Sequence, residues 1–295
     1  MFGRFAPRRG AVGLGEAALV LQEYAAEQAG RFGHTPYIAG RCNVCGNATV
    51  FFCDNRALYR ESLNCAECRT TSRYRSLARG ILRAAREVCG VAAASLAELA
   101  SAKPARGLRI YDTQIPFAYD TVAYPLPDLL RRCSWIEVEL SRFVPGEEWG
   151  KELAPGISNQ TLEKLTYPDG HFDVVITSDV MEHVRLDESA HREIARVVRP
   201  GGVYLFTVPH FRDRESTFVR VEVSDPDDPA SDKFLTDPEY HGDANSADGM
   251  ALSYRSYGTC IDGYLESLGF AVEYTKADIP ANAILNTELF YCRKR

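Results

Sequence analysis

Phe172–Pro209 reads FDVVITSDVMEHVRLDESAHREIARVVRPGGVYLFTVP, and this stretch decides the fold class. Phe172–Ser178 is apolar and β-branched almost throughout, the pattern of a strand buried on both faces. Glu188–Val198 carries helical spacing, and Pro200-Gly201-Gly202 is expected to end it. Val203–Val208 then reads as a second buried strand. Buried strands alternating with helices predict an α/β fold with a mostly parallel sheet covered on both faces.

The same alternation extends outward. Leu108–Tyr111 and Ser134–Leu140 are predicted strands, Ile261–Leu268 is a predicted helix closed by Gly269, and Val272–Lys276 and Glu288–Arg293 are the final strands. The last two leave little room for a helix between them and are expected to pair as an antiparallel hairpin at the sheet edge. Residues 210–255 break the rhythm. Their segment 224–248 is rich in Asp, Pro and Ser, so a binding loop or lid is expected there, with disorder as the competing reading. Ser101–Gly107 carries Lys, Pro and Gly and reads as a linker. Three regions follow: a lead-in over 1–37 with a helix at Glu16–Gln28, a cysteine module with its helix Arg73–Val88 over 38–100, and the α/β domain over 101–295.

Cys42 and Cys45 form one C-x-x-C, and Cys65 and Cys68 a second. Two such knuckles can place four thiolates around one tetrahedral zinc ion, a closed site with a structural role. Thr49–Phe52 reads as the ribbon strand after the first knuckle. Cys53, Cys89, Cys133, Cys260 and Cys292 are expected to be small buried hydrophobes. Arg69, Arg73, Arg75 and Arg79, with Tyr74 among them, follow the second knuckle. They read as a solvated helix face, with an anion-binding cluster as the alternative.

Phe172–Pro209 resembles class I S-adenosylmethionine-dependent methyltransferases of the type 11-like group, with their D-x-V-x-x-x-x-x-x-E-H and L-x-P-G-G patterns. Val198 stands where the second has Leu. The resemblance covers about residues 108–295. The knuckles, the following R-x-x-x-R-x-R and Pro238-Glu239-Tyr240-His241-Gly242 are similar to a bacterial subgroup in which a zinc ribbon precedes a Rossmann-like methyltransferase sheet.

The resemblance implies S-adenosyl-L-methionine as cofactor and assigns roles to particular residues. Asp112 keeps the acid after the first strand, but Gln114, Pro116 and Ala118 stand where the family has glycines, which reduces room for close backbone approach. Glu139, expected to end the second strand, takes the ribose hydroxyls. Asn159 or Gln160 meets the adenine, and Ser178 and Asp179 line the cleft after the fourth strand. Asp179, Glu182 and His183 lie at i, i+3 and i+4, one face of a helical turn. The similar E-x-x-E-H of some ubiquinone-pathway O-methyltransferases holds a divalent metal, so a second metal at Asp179, Glu182 and His183 is one expectation. His183 as general base and Glu182-His183 as a packing pair are the others. His210 and His241 are further base candidates, and Tyr240, Tyr254 and Tyr257 could line an acceptor pocket.

Composition bounds the rest. Nine cysteines, four of them paired in knuckles, favour metal over disulfides in a chain whose first residues do not read as a secretory signal. No apolar run nears ~18 residues, so a cytoplasmic location is expected. A net charge of −6 gives no general attraction to nucleic acid. The function expected is methylation of a small-molecule acceptor, on an oxygen of a sugar or secondary metabolite. The alternatives are a non-catalytic or repurposed Rossmann-like protein with a degenerate cofactor loop and, behind it, an RNA methyltransferase. A homo-oligomer is an open alternative to a monomer.

Overall fold

The computed structural model describes residues 37–54, 58–119, 121–242 and 249–295. The expected lead-in over 1–36, with its helix Glu16–Gln28, lies outside them.

Tyr37–Arg41 (β1), Ala48–Phe52 (β2) and Asn64–Cys65 (β3) form an antiparallel ribbon carrying the knuckles, followed by the helix Ser72–Cys89 (α1). The main sheet contains Leu108–Asp112 (β4), Ile136–Arg142 (β5), Glu152–Ala154 (β6), Ile157–Asn159 (β7) and Phe172–Ser178 (β8). The helix Asp187–Val197 (α2) and the strand Val198–Thr207 (β9) follow. The chain then continues through Cys260–Ser267 (α3), Phe270–Ile279 (β10) and Ile284–Lys294 (β11). The order across the sheet is β10-β11-β9-β8-β4-β5-β7-β6. From β4 the chain builds outward through β5 and β7, then returns to lay β8 on the other side of β4. That reversal makes the carboxyl ends of β4 and β8 a topological switch point, where open α/β sheets bind ligands. The final strands pair antiparallel, as their short connection requires.

Alternation along β8 explains the two-sided cover. Val174 and Ile176 turn to the face packed by Leu77, Ala78 and Ile81 of α1, while Phe172 and Val175 turn to Ala190, Ile194 and Val197 of α2. Each buried aliphatic side chain contributes about 1.5–3 kcal/mol. The ribbon joins the first of these cores: Val44, Phe51 and Leu63 lie in it with Leu77, Leu205 and Leu289. The linker at Ser101–Gly107 therefore does not divide the described chain into two bodies, and α1 covers the sheet rather than belonging to the ribbon alone. Arg75 fastens this junction. Its buried guanidinium donates to the carbonyl oxygens of Leu63, Thr70, Asn282 and Ala283, joining ribbon, helix and the β10–β11 turn. It is neither a solvated side chain nor an anion receptor; only Arg79 of that series is exposed on α1.

Three expectations are corrected. β5 runs on to Arg142 because Leu140–Arg142 pair with Ile157–Asn159, so Glu139 does not end it. The Pro200-Gly201-Gly202 turn lies inside β9, since α2 has already stopped at Val197. Among the remaining cysteines, Cys53, Cys133 and Cys292 are buried, but Cys89 is only partly so and Cys260 is exposed in the first turn of α3.

The insertion over 210–255 holds three two-stranded ladders, Phe218–Val219 with Arg255–Ser256, Val221–Glu222 with Lys233–Phe234, and Tyr240–Gly242 with Met250–Leu252, and folds onto the loop after β8. Arg255 donates to the carbonyls of Met181, Val184 and Arg185, and Arg185 in turn to those of Asp225, Pro226 and Asp228. No helix among the described residues is long and apolar enough to cross a membrane.

Gly202 sits where a Cβ would meet the carbonyl oxygens of Arg199 and Asp173 at 2.9 Å each. Gly202→Ala is expected to destabilise the protein by about 1–3 kcal/mol, as overpacking against immovable backbone does. Urea denaturation showing an unchanged midpoint would contradict that packing.

Candidate active site at the sheet switch point

Asp112 is the last residue of β4, opposite Ile176 of β8, and is fully enclosed. It accepts from the Tyr124 hydroxyl at 2.5 Å and from the Gln114 N–H at 3.0 Å. Burial pushes its carboxyl up to about 7, against the pull of those two donors. In the turn that follows, Phe117 packs on Tyr74 of α1 and on Tyr124. The Gln114 side-chain oxygen is buried and has no hydrogen-bond partner among the described residues.

Across the switch point lies an ion-pair network that the sequence did not disclose. Arg60 grips Asp179 with both ends of its fork, at 2.5 and 2.6 Å. Arg73, from the first turn of α1, grips Glu61 in the same way at 2.7 and 2.9 Å and donates to the Ser178 hydroxyl at 2.5 Å. Burial alone would raise the Asp179 carboxyl, but Arg60 and Arg73 beside it hold it well below the usual carboxylate range. Its backbone takes the left-handed conformation, φ 52°, which Asp tolerates better than most residues. The Thr207 hydroxyl completes the shell, donating at 2.8 Å.

The metal set Asp179, Glu182 and His183 is thereby overturned. Asp179 belongs to the arginines, and Met181–His183 is a single 3₁₀ turn, so the three side chains do not share a helical face. In place of Asp179, the insertion brings His241. Glu182, His183 and His241 offer ligand atoms that all lie within 4.8 Å of one another. Glu182 is fully buried, and burial with Asp179 nearby pushes its carboxyl well above the usual range.

The remaining expected site residues are scattered. Glu139 lies on the sheet face of Tyr111, with a part-exposed carboxylate 3.2 Å from His171. Asn159 is buried and its amide is spent on the loop after β5, donating to Val144, Glu147 and Glu148 and accepting from the Val144 N–H. Gln160 is likewise engaged with Ser158 and Thr166. The adenine contact expected of either residue is not available from these side chains as placed. His210 sits past β9, packed on Tyr274 and Phe290, and burial lowers its pKa; it faces the β10–β11 hairpin rather than the triad. Tyr257 is core, donating to Asp187 and the Met181 carbonyl, whereas Tyr240 is exposed.

The four cysteines converge as their spacing predicts. Cys42 and Cys68 sulfurs are 3.7 Å apart, and Cys45 and Cys65 sulfurs 4.0 Å. Four thiolates each about 2.3 Å from one tetrahedral zinc would stand ~3.8 Å apart, whereas a disulfide needs about 2.05 Å.

Residues 145–206 match the family model described as a methyltransferase domain. No curated protein matches the sequence. Among solved structures, an S-adenosylmethionine-dependent methyltransferase from Mesorhizobium loti is 18% identical, over 67% of this chain and 96% of that one, with a TM-score of 0.38. An S-adenosylmethionine-dependent methyltransferase from Methanosarcina mazei is 11% identical, over 64% and 93%, with a TM-score of 0.36. The Burkholderia thailandensis 1,6-didemethyltoxoflavin-N1-methyltransferase, solved with 1,6-didemethyltoxoflavin and S-adenosylhomocysteine, is 15% identical, over 68% and 76%, with a TM-score of 0.34. The segment that resembles a methyltransferase domain thus lies on a doubly wound sheet, which a four-cysteine cluster precedes.

Asp112 makes stability depend on pH in a defined direction. With its folded pKa near 7 and an unfolded value of about 3.9, the folded state holds a proton that the unfolded chain has lost between those limits. Its stabilising contribution is complete below pH ~4 and lost as pH rises through 7. Relative to wild type, Asp112→Asn is expected to gain stability between pH 5 and pH 8 in urea titrations; a constant difference would refute the shifted carboxyl.

Proposed function

We propose that this methyltransferase domain uses S-adenosylmethionine to methylate an oxygen of a small molecule, a sugar or secondary metabolite. The observation that carries the reading is the grouping at one sheet end: the Asp112–Gln114 turn on one side of Ser178–Asp179, and Glu182, His183 and His241 on the other.

The residues present fit the cofactor. Its amino-acid end carries an ammonium and a carboxylate; the unpartnered Gln114 oxygen would accept from the first, and Arg73 or Arg60 would pair with the second. When bound, the cofactor supplies an electrophilic methyl group on a sulfonium. The chain's part is to orient donor and acceptor and to take a proton from the acceptor hydroxyl. His183 is suited to that: its Nδ1 lies 2.9 Å from the Leu252 carbonyl, which fixes Nδ1 as the protonated nitrogen and leaves Nε2 as the basic one. The insertion, packed over the loop that carries His183, would exclude water.

A second reading, a domain repurposed for another ligand, draws on Phe117 filling the glycine-poor turn against Tyr74 and Tyr124. Calorimetry separates the two. S-Adenosylhomocysteine is expected to bind, and Gln114→Ala to weaken it about 10-fold or more, the loss of one hydrogen bond to a charged group. No heat with either the cofactor or its demethylated product selects the repurposed domain.

We further infer that the four cysteines hold a structural zinc ion, on the strength of their sulfur spacing. Elemental analysis is expected to show one equivalent fewer in Cys65→Ser, together with a lower melting temperature. Folded wild-type protein without zinc would remove the assignment.

A further inference from the structure

We propose that Glu182, His183 and His241 bind one divalent transition-metal ion, at a site separate from the four-cysteine cluster. The starting observation is an uncompensated group: both carboxylate oxygens of Glu182 are buried, and neither has a hydrogen-bond partner among the described residues. Leaving such a group unsatisfied costs several kcal/mol. Two imidazole nitrogens stand beside it, His183 Nε2 at 3.7 Å and His241 Nδ1 at 3.9 Å, both measured to the same oxygen. These separations exceed hydrogen-bond length, so a shared proton does not account for the arrangement.

Each imidazole is oriented through its other nitrogen. His183 Nδ1 faces the Leu252 carbonyl at 2.9 Å, and His241 Nε2 faces the Glu239 carboxylate at 2.9 Å, with Glu239 itself anchored by Arg220. A backbone carbonyl behind one histidine and a carboxylate behind the other are the outer partners that fix tautomer and ring direction at metal sites. The basic nitrogens therefore turn toward Glu182, and the two rings stand nearly perpendicular, 87°, with centroids 4.9 Å apart. An ion with ligands at about 2.0–2.2 Å would bring these atoms to ~3.0–3.5 Å of one another, a contraction of well under 1 Å from the closer spacings.

Two imidazoles and one carboxylate select first-row ions such as zinc, iron or manganese over magnesium or calcium, and three protein ligands leave positions open. That openness distinguishes this site from the closed four-thiolate cluster. Binding of the ion does not depend on the methyl-transfer reading. Its use does: an acceptor hydroxyl taking an open position would lose its proton more readily, to solvent, because the ion would then occupy His183 Nε2; the base role of His183 belongs to the metal-free site.

The test uses the full chain without cofactor. Chelator-treated protein, its residual metal counted by elemental analysis, is titrated with Zn²⁺ in a calorimeter. Wild type is expected to take up one more equivalent than His241→Ala or Glu182→Gln, while Cys65→Ser retains that equivalent. His241 is half-buried on the insertion, so its truncation decides the matter even if Glu182→Gln folds poorly. Equal stoichiometry and affinity in wild type and His241→Ala would overturn the site. S-Adenosylhomocysteine binding, measured separately, reports on the cofactor reading alone.

Discussion

Asp179 lies part-buried just past the end of β8, and its carboxylate is balanced by arginines from a part of the chain more than a hundred residues away. A buried carboxylate is tolerable only when paired. That requirement ties the ribbon side of the protein to the carboxyl end of β4 and β8: Arg60 precedes the second knuckle, Arg73 opens α1, and both must reach the switch point for Asp179 to remain charged. The cysteine module is thus part of the site's framework. Thiolate ligation would hold the segment that delivers the two arginines, and Arg75 would hold the knuckles against the sheet.

Pairing of Asp179 also redistributes the loop that follows. With Asp179 turned to the arginines, Glu182 is left in a second pocket, and the group that answers it comes from the insertion. Arg255 and Arg185 knit that insertion to the 181–187 loop through backbone carbonyls. The residues over 210–255 thereby bring His241 and Leu252 to Glu182 and His183, so the insertion and the loop after β8 meet through polar contacts.

Much of the sheet was legible because its pattern is dictated locally. Phe172–Ser178 is apolar at every position but the second and the last two, and only a strand covered on both faces accommodates that. The hairpin of β10 and β11 followed from a connection too short for a crossover. Boundaries were less legible. β5 ran past Glu139 because β7 pairs with Leu140–Arg142, and no residue in β5 itself announces a partner about twenty positions away.

The chain's residue types and spacings determined the α/β class, the convergence of the four cysteines and the presence of an acid after β4 and an E-H pair after β8, since each depends on contacts within a few residues or on a ligand geometry encoded in C-x-x-C. Only the tertiary structure decided what those charged groups face. Arg60, Asp179 and His241 are polar residues in segments too short to show periodicity, and a buried charge finds its partner by distance in space. The gripping of Asp179 by arginines, and the meeting of Glu182 with a histidine from the insertion, are consequences of how sheet, ribbon and insertion pack, which no local pattern carries.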